Sequence, residues 1–173
     1  MADDDLGPDD DVGALRRRLE VVEATLAVQA LKAQYGELVD QRFAAGAVVG
    51  PEALELVVRE IVDLFSEDAT WDGGPVLGTA TGRAAIAERL RAPTLVFSRH
   101  LFVKPRITVE LPGASARWDL LCPCRTADGR SWWMCGYEDD TYRCEGGTWR
   151  HTSMKLTTLV MAPAHDAFDR VMG

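Results

Sequence analysis

Three residues of the sequence have side chains suited to moving protons: Tyr35 and Asp40 in QYGELVDQRF, and His100 in SRHLF. Histidine titrates near neutral pH, so His100 in an apolar pocket could remove a proton from a substrate. Asp40 could orient the imidazole, and Tyr35 could donate a hydrogen bond to a substrate oxygen. The ordinary alternatives are a histidine bonded at a sheet edge, a core tyrosine and a solvated acid at a helix end. Together, the three residue types predict acid–base chemistry.

The helix that carries Tyr35 and Asp40 sets a condition on this chemistry. Leucine and valine recur at steps of three and four residues from Leu15 to Leu26, which predicts one helix over residues 14 to about 45. Five residues at 100° each place Asp40 about 140° from Tyr35. The two converge only if the helix bends or if Asp40 reaches around its end. Gly36 leaves this open, because glycine lowers helix propensity by about 1 kcal/mol relative to alanine, and a bend or a close packing contact is expected there.

The remaining elements predict an α+β fold. A second helix is expected over residues 52–65, a short strand at ATWDGG, and a third helix at TGRAAIAERLRAP with Thr81 as its N-cap. Four strands follow, over residues 97–110, 115–125, 131–143 and 148–160, and turn signals such as Asp128-Gly129 separate them. Residues 14–163 are therefore expected to form one domain, with a disordered acidic tail at 1–13 and a C-terminal tail at 164–173.

Alternation along the strands predicts which side chains face inward. Phe102 shares a strand face with His100 and Lys104, and the apolar set that contains Trp118 and Cys122 is assigned to the inside of the sheet. We expect the substrate-binding residues to be Trp71, Asp72, Phe102, Trp118 and Cys122, although tryptophans at such positions are more often core or interface residues.

The sequence leaves open the roles of two further groups of acidic residues. Asp72, in TWDGGP, is most simply a turn residue, but it could also be a base at the pocket mouth. Asp139 and Asp140 are neighbours on one strand, so one must face inward and the other outward. The inward carboxyl would have a raised pKa and would be a functional candidate.

Composition and motifs exclude several classes of function. The 173 residues carry a net charge of −8, which argues against a nucleic-acid partner, and no apolar run is long enough to cross a membrane. The acidic N-terminus lacks the features of a secretory signal, so a cytoplasmic location is expected. The four cysteines lack zinc-site spacing, so no metal is expected. Motifs for serine hydrolases, P-loops and dinucleotide cofactors are absent.

The order LFSEDATWDGGP, GRAAIAERL, SRHLFVKPRI, DGRSWWMCGYEDDTY and GGTWRHTSMKLTTL resembles the SnoaL-like branch of the NTF2-like superfamily, over residues 19 to 160. The resemblance implies an NTF2-like cone, in which a curved antiparallel sheet wraps around three N-terminal helices and encloses an apolar pocket. It also implies a homodimer, usually formed through the outer face of the sheet, or a higher homo-oligomer. Metal or organic cofactors are not generally required in this superfamily.

Within the superfamily, bile-acid dehydratases and scytalone dehydratase are the nearest functional relatives. Tyr35, Asp40 and His100 fall at positions that match the site of the bile-acid enzymes, but a further acid or histidine of the dehydratases is replaced here by Cys122 or Cys124. Ketosteroid isomerases share the tyrosine, and Asp72 would be the nearest stand-in for their base. The resemblance implies a cofactor-free lyase (dehydratase) or isomerase that acts on a hydrophobic oxygenated cyclic substrate, steroid-like or polyketide-like. The alternative is a non-catalytic module that binds a hydrophobic ligand, or a structural subunit similar to the β subunits of ring-hydroxylating dioxygenases.

Overall fold

A computed structural model describes residues 8–164 of the protein, with side chains from residue 11 onward. The helices are α1 (Pro8–Asp40), α2 (Pro51–Asp63), the single turn α3 (Gly74–Leu77) and α4 (Arg83–Arg91). The strands are β1 (Phe43–Ala44), β2 (Ala47–Val48), β3 (Phe65–Asp72), β4 (Thr79–Thr81), β5 (Leu95–Ser98), β6 (Leu101–Glu110), β7 (Gly113–Thr126), β8 (Ser131–Glu145) and β9 (Thr148–Pro163).

One seven-stranded sheet forms the body of the protein. Its order is β4-β3-β9-β8-β7-β5, and β6 pairs with β7 alongside β5. All neighbouring strands are antiparallel except β3 and β9, which run parallel. The three longest strands, β7, β8 and β9, curl strongly, and the helices lie against the concave face. The prediction of an α+β cone with a curved, mainly antiparallel sheet is therefore confirmed.

The core lies between this concave face and the helices. The C-terminal half of α1 contributes Val28, Leu31 and Leu38, all of them buried. The second helix, α2, begins with Pro51, whose fixed φ suits a first helical position, and buries Val58 and Ile61. Within each helix these side chains are three or seven residues apart, so they share one face of that helix.

Several predicted boundaries are wrong. Helix α1 begins at Pro8 rather than at residue 14, so that part of the predicted acidic tail is helical, and it ends at Asp40, after which a turn and the β1–β2 hairpin follow. The N-cap of α4 is Gly82, because Thr81 belongs to β4. Residues 1–7 and 165–173 of the predicted tails lie outside the described residues. None of the described helices is long and apolar enough to cross a membrane.

The first long strand predicted from the sequence is in fact two strands. Strand β5 ends at Ser98 and β6 begins at Leu101, and both pair with β7. The backbone of Arg99 and His100 lies in the interruption. Alternation along β6 also fails at Lys104, which has a φ of 49° at a register shift and is exposed. The two strands keep one register against β7, since Ser98 pairs with Cys124 and Leu101 with Leu121, so His100 lies at the edge of the sheet between them.

Candidate active site

Asp40 and His100 form a hydrogen-bonded pair. Asp40 is the last residue of α1 and is nearly buried. The Nδ1 atom of His100 lies 2.7 Å from Oδ1 of Asp40, and the backbone N–H of His100 donates to Oδ2 at 2.8 Å. The hydroxyl of Ser98 donates to Oδ1 at 2.9 Å. Because a carboxylate accepts hydrogen bonds, this contact favours the tautomer of the neutral imidazole that carries its proton on Nδ1 and its lone pair on Nε2.

The edge position of this segment explains the geometry. Among the described strands, β5 and β6 pair only with β7, and alternate N–H groups of an edge strand point away from the partner strand. The N–H of Arg99 donates to the carbonyl oxygen of Pro123 on β7 at 3.1 Å, whereas the next N–H, that of His100, bonds to the carboxylate of Asp40. The end of α1 supplies the acceptor at this point. Asp40 thus replaces a strand partner and fixes both the backbone and the imidazole ring of His100.

His100 borders an apolar cavity of about 100 Å³. The cavity lies between α1, the segment after α4 and the inner face of the sheet, and its walls include Tyr35, Leu95, Cys122, Met154 and Leu156. Among the described residues, the hydrogen bonds of His100 are made by its Nδ1 atom and its backbone N–H, and none is made by Nε2. The pair therefore presents an unoccupied basic nitrogen to an apolar chamber.

Tyr35 lines the same cavity as His100. The indole N–H of Trp71 donates to its hydroxyl oxygen at 3.2 Å, so the hydroxyl proton remains available to another acceptor. Burial, together with the negative charge of Glu138, raises the pKa of Tyr35 well above its ordinary value. Tyr35 is therefore a protonated hydrogen-bond donor over the whole physiological pH range.

Tyr35 and Asp40 point in different directions around α1, but Asp40 is the last helical residue and reaches His100 from there. Helix α1 continues through Gly36 without interruption. Gly36 is instead a close packing site, because a Cβ atom there would lie 3.3 Å from the ring of Phe102. Of the two possibilities, the reach of Asp40 around the helix end is the one observed.

Three of the five predicted substrate-binding residues, Trp71, Asp72 and Cys122, line the cavity. The carboxylate of Asp72 accepts hydrogen bonds from the backbone N–H of Gly74 at 2.9 Å and from the hydroxyl of Thr79 at 3.3 Å. Asp72 therefore stabilises the turn around α3, which agrees with its interpretation as a turn residue.

The other two predicted residues, Phe102 and Trp118, do not line the cavity. The Phe102 ring stacks on the imidazole of His100 at a centroid distance of 5.9 Å, and the Lys32 ammonium lies 4.1 Å from the centroid of the Phe102 ring. Trp118 is buried in the core, where its indole N–H donates to the hydroxyl of Tyr142 at 3.0 Å. Alternation along the strands correctly predicted that both side chains face inward. It could not predict that they pack in the core instead of lining the cavity.

A buried charged cluster lies beneath the cavity and was missed by the sequence analysis. The ammonium of Lys32 is enclosed and donates to the carboxylates of Glu138 and Asp140, the latter at 2.7 Å. The hydroxyl of Tyr142 also donates to Asp140, at 2.8 Å. Glu138 belongs to the cavity wall, and its Oε1 atom has no donor among the described residues. The cluster therefore connects a polar atom of the wall to the core.

Burial and charge act against each other in this cluster. Burial raises the pKa of Asp140 to about 6, although the charge of Lys32 lowers it. For Lys32, burial disfavours the charge, but Asp140 and Glu138 outweigh it and raise the pKa. The prediction that one of two adjacent acids faces inward is confirmed, since Asp140 is buried and Asp139 is paired with Arg117 at the surface. Lys32 gave a signal of its own, because it lies four residues after the buried Val28.

A family model for SnoaL-like domains matches residues 57–155, which is more than half of the chain. The chain belongs to the SnoaL-like family. The predicted resemblance is thereby confirmed, and the matched segment includes His100, while Tyr35 and Asp40 precede it. None of the curated proteins compared with the chain matches it.

Solved structures similar to this SnoaL-like protein share its fold. A hexachlorocyclohexane dehydrochlorinase, LinA-type3 from Novosphingobium barchaimii LL02, has a TM-score of 0.70 at 16% identity, over 88% of this chain and 96% of that chain. A candidate scytalone dehydratase from Novosphingobium aromaticivorans has a TM-score of 0.68 at 20% identity, over 87% and 97%. An NTF2-like protein with a cystatin-like fold, also from N. aromaticivorans, has a TM-score of 0.64 at 26% identity, over 91% and 92%.

The remaining titratable groups of this SnoaL-like protein are less suited to proton transfer. A hydrogen bond with Cys124, together with burial, raises the pKa of Cys122, so its thiol at the cavity wall stays protonated. His151 is fully buried against Phe65 and Tyr142, and burial lowers its pKa well below the ordinary value. No cluster of potential metal ligands occurs among residues 11–164.

Proposed function

We propose that the protein is a lyase or isomerase whose first step is removal of a proton from carbon by Nε2 of His100. The observation that supports this is the Asp40–His100 pair, whose free ring nitrogen opens onto an apolar cavity. A positioned base of this kind typically contributes about 10²–10⁴-fold to a rate. Asp40 would hold the imidazole in the correct tautomer and stabilise the imidazolium that forms.

In the proposed reaction, the proton removed lies next to a carbonyl group. The electron pair of the broken C–H bond moves onto the carbonyl oxygen, where the hydroxyl of Tyr35 donates a hydrogen bond to the developing charge. When the pair returns, it forms a carbon–carbon double bond and expels a β-hydroxyl group. The imidazolium of His100 gives its proton to that group, which leaves as water. Reprotonation at another carbon would instead complete an isomerisation.

Of the two outcomes, elimination of water and isomerisation, we favour elimination. The names of two structural neighbours, a dehydrochlorinase and a candidate dehydratase, denote eliminations. At 16% and 20% identity they support only the view that the fold can accommodate such a reaction. The direction of the reaction in this protein is therefore part of the proposal.

The cavity supports a small cyclic substrate with at least one hydroxyl group. Its volume of about 100 Å³ is below the roughly 300–1,000 Å³ of sites for drug-sized ligands, so a single ring suits it better than a steroid does. Most of its wall is apolar, and the free Oε1 atom of Glu138 would accept a hydrogen bond from a substrate hydroxyl. We therefore narrow the expected substrate from steroid-like or polyketide-like to a hydroxylated monocyclic ketone.

The test separates proton removal from loss of the hydroxyl group. The protein is incubated in D₂O with a panel of cyclic β-hydroxyketones that begins with 3-hydroxycyclohexanone, and mass spectrometry follows both deuterium uptake and loss of water. We expect His100→Ala to lower the rate of either process by about 10²-fold or more. The matched control is Leu101→Ala, because Leu101 is exposed on the neighbouring strand.

Two results would oppose the proposal. If His100→Ala retains a rate within about threefold of the wild type, His100 is not the base. If the ketones bind to the wild type but neither exchange nor dehydration occurs, the alternative of a binding module is favoured. In that case Tyr35→Phe and Glu138→Gln should weaken binding, because the first removes a hydroxyl donor from the cavity and the second replaces a charged acceptor by a neutral one.

A further inference from the structure

Helix α1 carries two apolar stripes on opposite faces. The first, the core stripe, is buried against the sheet and consists of Ala24, Val28, Leu31, Tyr35 and Leu38. The second, the outer stripe, consists of Val12, Leu15, Leu19, Val22 and Leu26, whose exposed fractions lie between 53% and 63%. Where the two stripes overlap along the helix, Val22 precedes Ala24 and Leu26 precedes Val28 by two residues, which is 200° around a helix. Because the core stripe fixes the rotation of α1, the outer stripe faces away from its own domain.

The N-terminal part of α1 extends beyond the domain. Ala24 is the first buried residue among those whose side chains are described, so residues 11–23 extend for about 20 Å without burial. An isolated helix of this length is only marginally stable in water. A partner that covers the outer stripe would supply the missing stabilisation.

The spacing within the outer stripe is that of a coiled coil. Its five members are separated by three, four, three and four residues, which places them at positions a and d of a heptad repeat. The flanking e and g positions are polar, and they are occupied by Asp11, Arg16, Arg18, Glu23 and Thr25. A narrow apolar seam bordered by polar residues suits two helices rather than a larger bundle.

We propose that the outer stripe pairs with the same stripe of a second copy of this chain, to form a parallel two-stranded coiled coil. In a parallel pair, each g residue meets the e residue five positions later on the other helix. Asp11 would then meet the partner's Arg16, and Arg18 would meet the partner's Glu23. Both contacts join opposite charges, and the two-fold symmetry repeats each of them. Within the described part of the chain, none of these four side chains has an ion-pair partner of its own.

The position of the domains is compatible with this pairing. The core stripe and the outer stripe lie on opposite sides of α1, so each domain would lie on the side of its helix that faces away from the partner. The proposal therefore assigns the homodimer to α1, whereas the family resemblance implies contact through the outer face of the sheet.

The first experiment measures self-association of the full chain by analytical ultracentrifugation over a wide range of concentrations. We expect a reversible dimer, and we expect Leu19→Lys to raise its dissociation constant by about tenfold or more, because a charge enters the seam. The matched control is Val21→Lys, which changes an exposed valine of the same helix outside the outer stripe and should leave the dimer intact. A wild type that is monomeric throughout, or a dimer insensitive to Leu19→Lys, overturns the proposal.

The second experiment tests direction and charge pairing. Arg18→Glu and Glu23→Arg should each weaken the dimer, whereas the double variant R18E/E23R should restore it, because the contact between positions 18 and 23 regains opposite charges. In an antiparallel pair, position 23 would face Arg16, and the double variant would remain weak. Val22→Cys should form an intermolecular disulfide under mild oxidation, in contrast to the wild type with its four free cysteines. Failure of both the rescue and the cross-link rejects the parallel arrangement.

Discussion

Replacing Lys32 by methionine should destabilise the protein strongly. Lys32 is fully buried, and its ammonium is the cation between the carboxylates of Glu138 and Asp140, which are also buried. Methionine fills much of the same space but leaves both carboxylates without that partner. Removing one member of a buried ion pair typically costs about 3–5 kcal/mol, because the remaining charge is uncompensated. Since an entire domain is stable by only about 5–15 kcal/mol, the loss should be a large part of the total.

The assay is urea unfolding at pH 7, followed by the fluorescence of the five tryptophans. Lys104→Met serves as the matched control, because Lys104 is exposed and pairs with Asp119 at the surface, where solvent screens the interaction. Adding Glu138→Gln and Asp140→Asn to Lys32→Met should recover part of the loss, because no charge then remains in the cluster. Lys32→Met should also be less harmful at pH 5 than at pH 7, since a buried carboxyl takes up a proton more readily at the lower pH.

A free energy of unfolding for Lys32→Met within about 1 kcal/mol of the wild type at pH 7 would refute this reasoning. It would mean that water or a shifted side chain satisfies the two carboxylates as well as Lys32 does. Equal losses for Lys32→Met and Lys104→Met would lead to the same conclusion.

Three further predictions concern single positions. The folded pKa of Asp140, about 6, lies above its unfolded value near 3.9, so its ionisation costs stability above pH 6 and not below pH 4. The unfolding free energy of Asp140→Asn minus that of the wild type should therefore increase from pH 4 to pH 6, by up to about 3 kcal/mol, and a flat difference would contradict this. Gly136→Ala should lose about 1–3 kcal/mol or more in urea unfolding, because its Cβ atom would lie 2.2 Å from the carbonyl oxygen of Thr157; an unchanged midpoint would contradict the packing. Asp40→Asn should lower deuterium uptake by the cyclic ketones by about 10²-fold with unchanged circular dichroism, and full activity would show that His100 does not need its carboxylate.

The sheet could be predicted largely from local signals, whereas the site required contacts between distant segments. Alternating apolar residues and the turn at Asp128-Gly129 define the hairpin of β7 and β8, because both signals act over a few residues. The hydrogen bonds that hold His100 have no such signal, because they come from a carboxylate that precedes His100 by 60 residues in the sequence.

The burial of Lys32 on α1 also depends on contacts between distant segments. Although Lys32 shares a helix face with Val28, its ammonium would ordinarily be expected to reach solvent, because an unpaired lysine is almost never fully buried. It is buried here because Glu138 and Asp140, which are 106 and 108 residues away, present carboxylates on one face of β8. Their spacing of two residues was visible in the sequence, but the element facing them was not.

The proposed active site and the proposed dimer use the same helix but do not depend on each other. The outer stripe ends at Leu26, fourteen residues or about 21 Å along α1 from Asp40. The residues between them that face the domain, such as Leu31 and Leu38, are packed in the core and hold the helix with or without a partner. Substitution of Leu19 should therefore alter association without altering proton removal, and substitution of His100 should do the reverse. A change in both properties from either substitution would mean that α1 is not the rigid connection that its core stripe indicates.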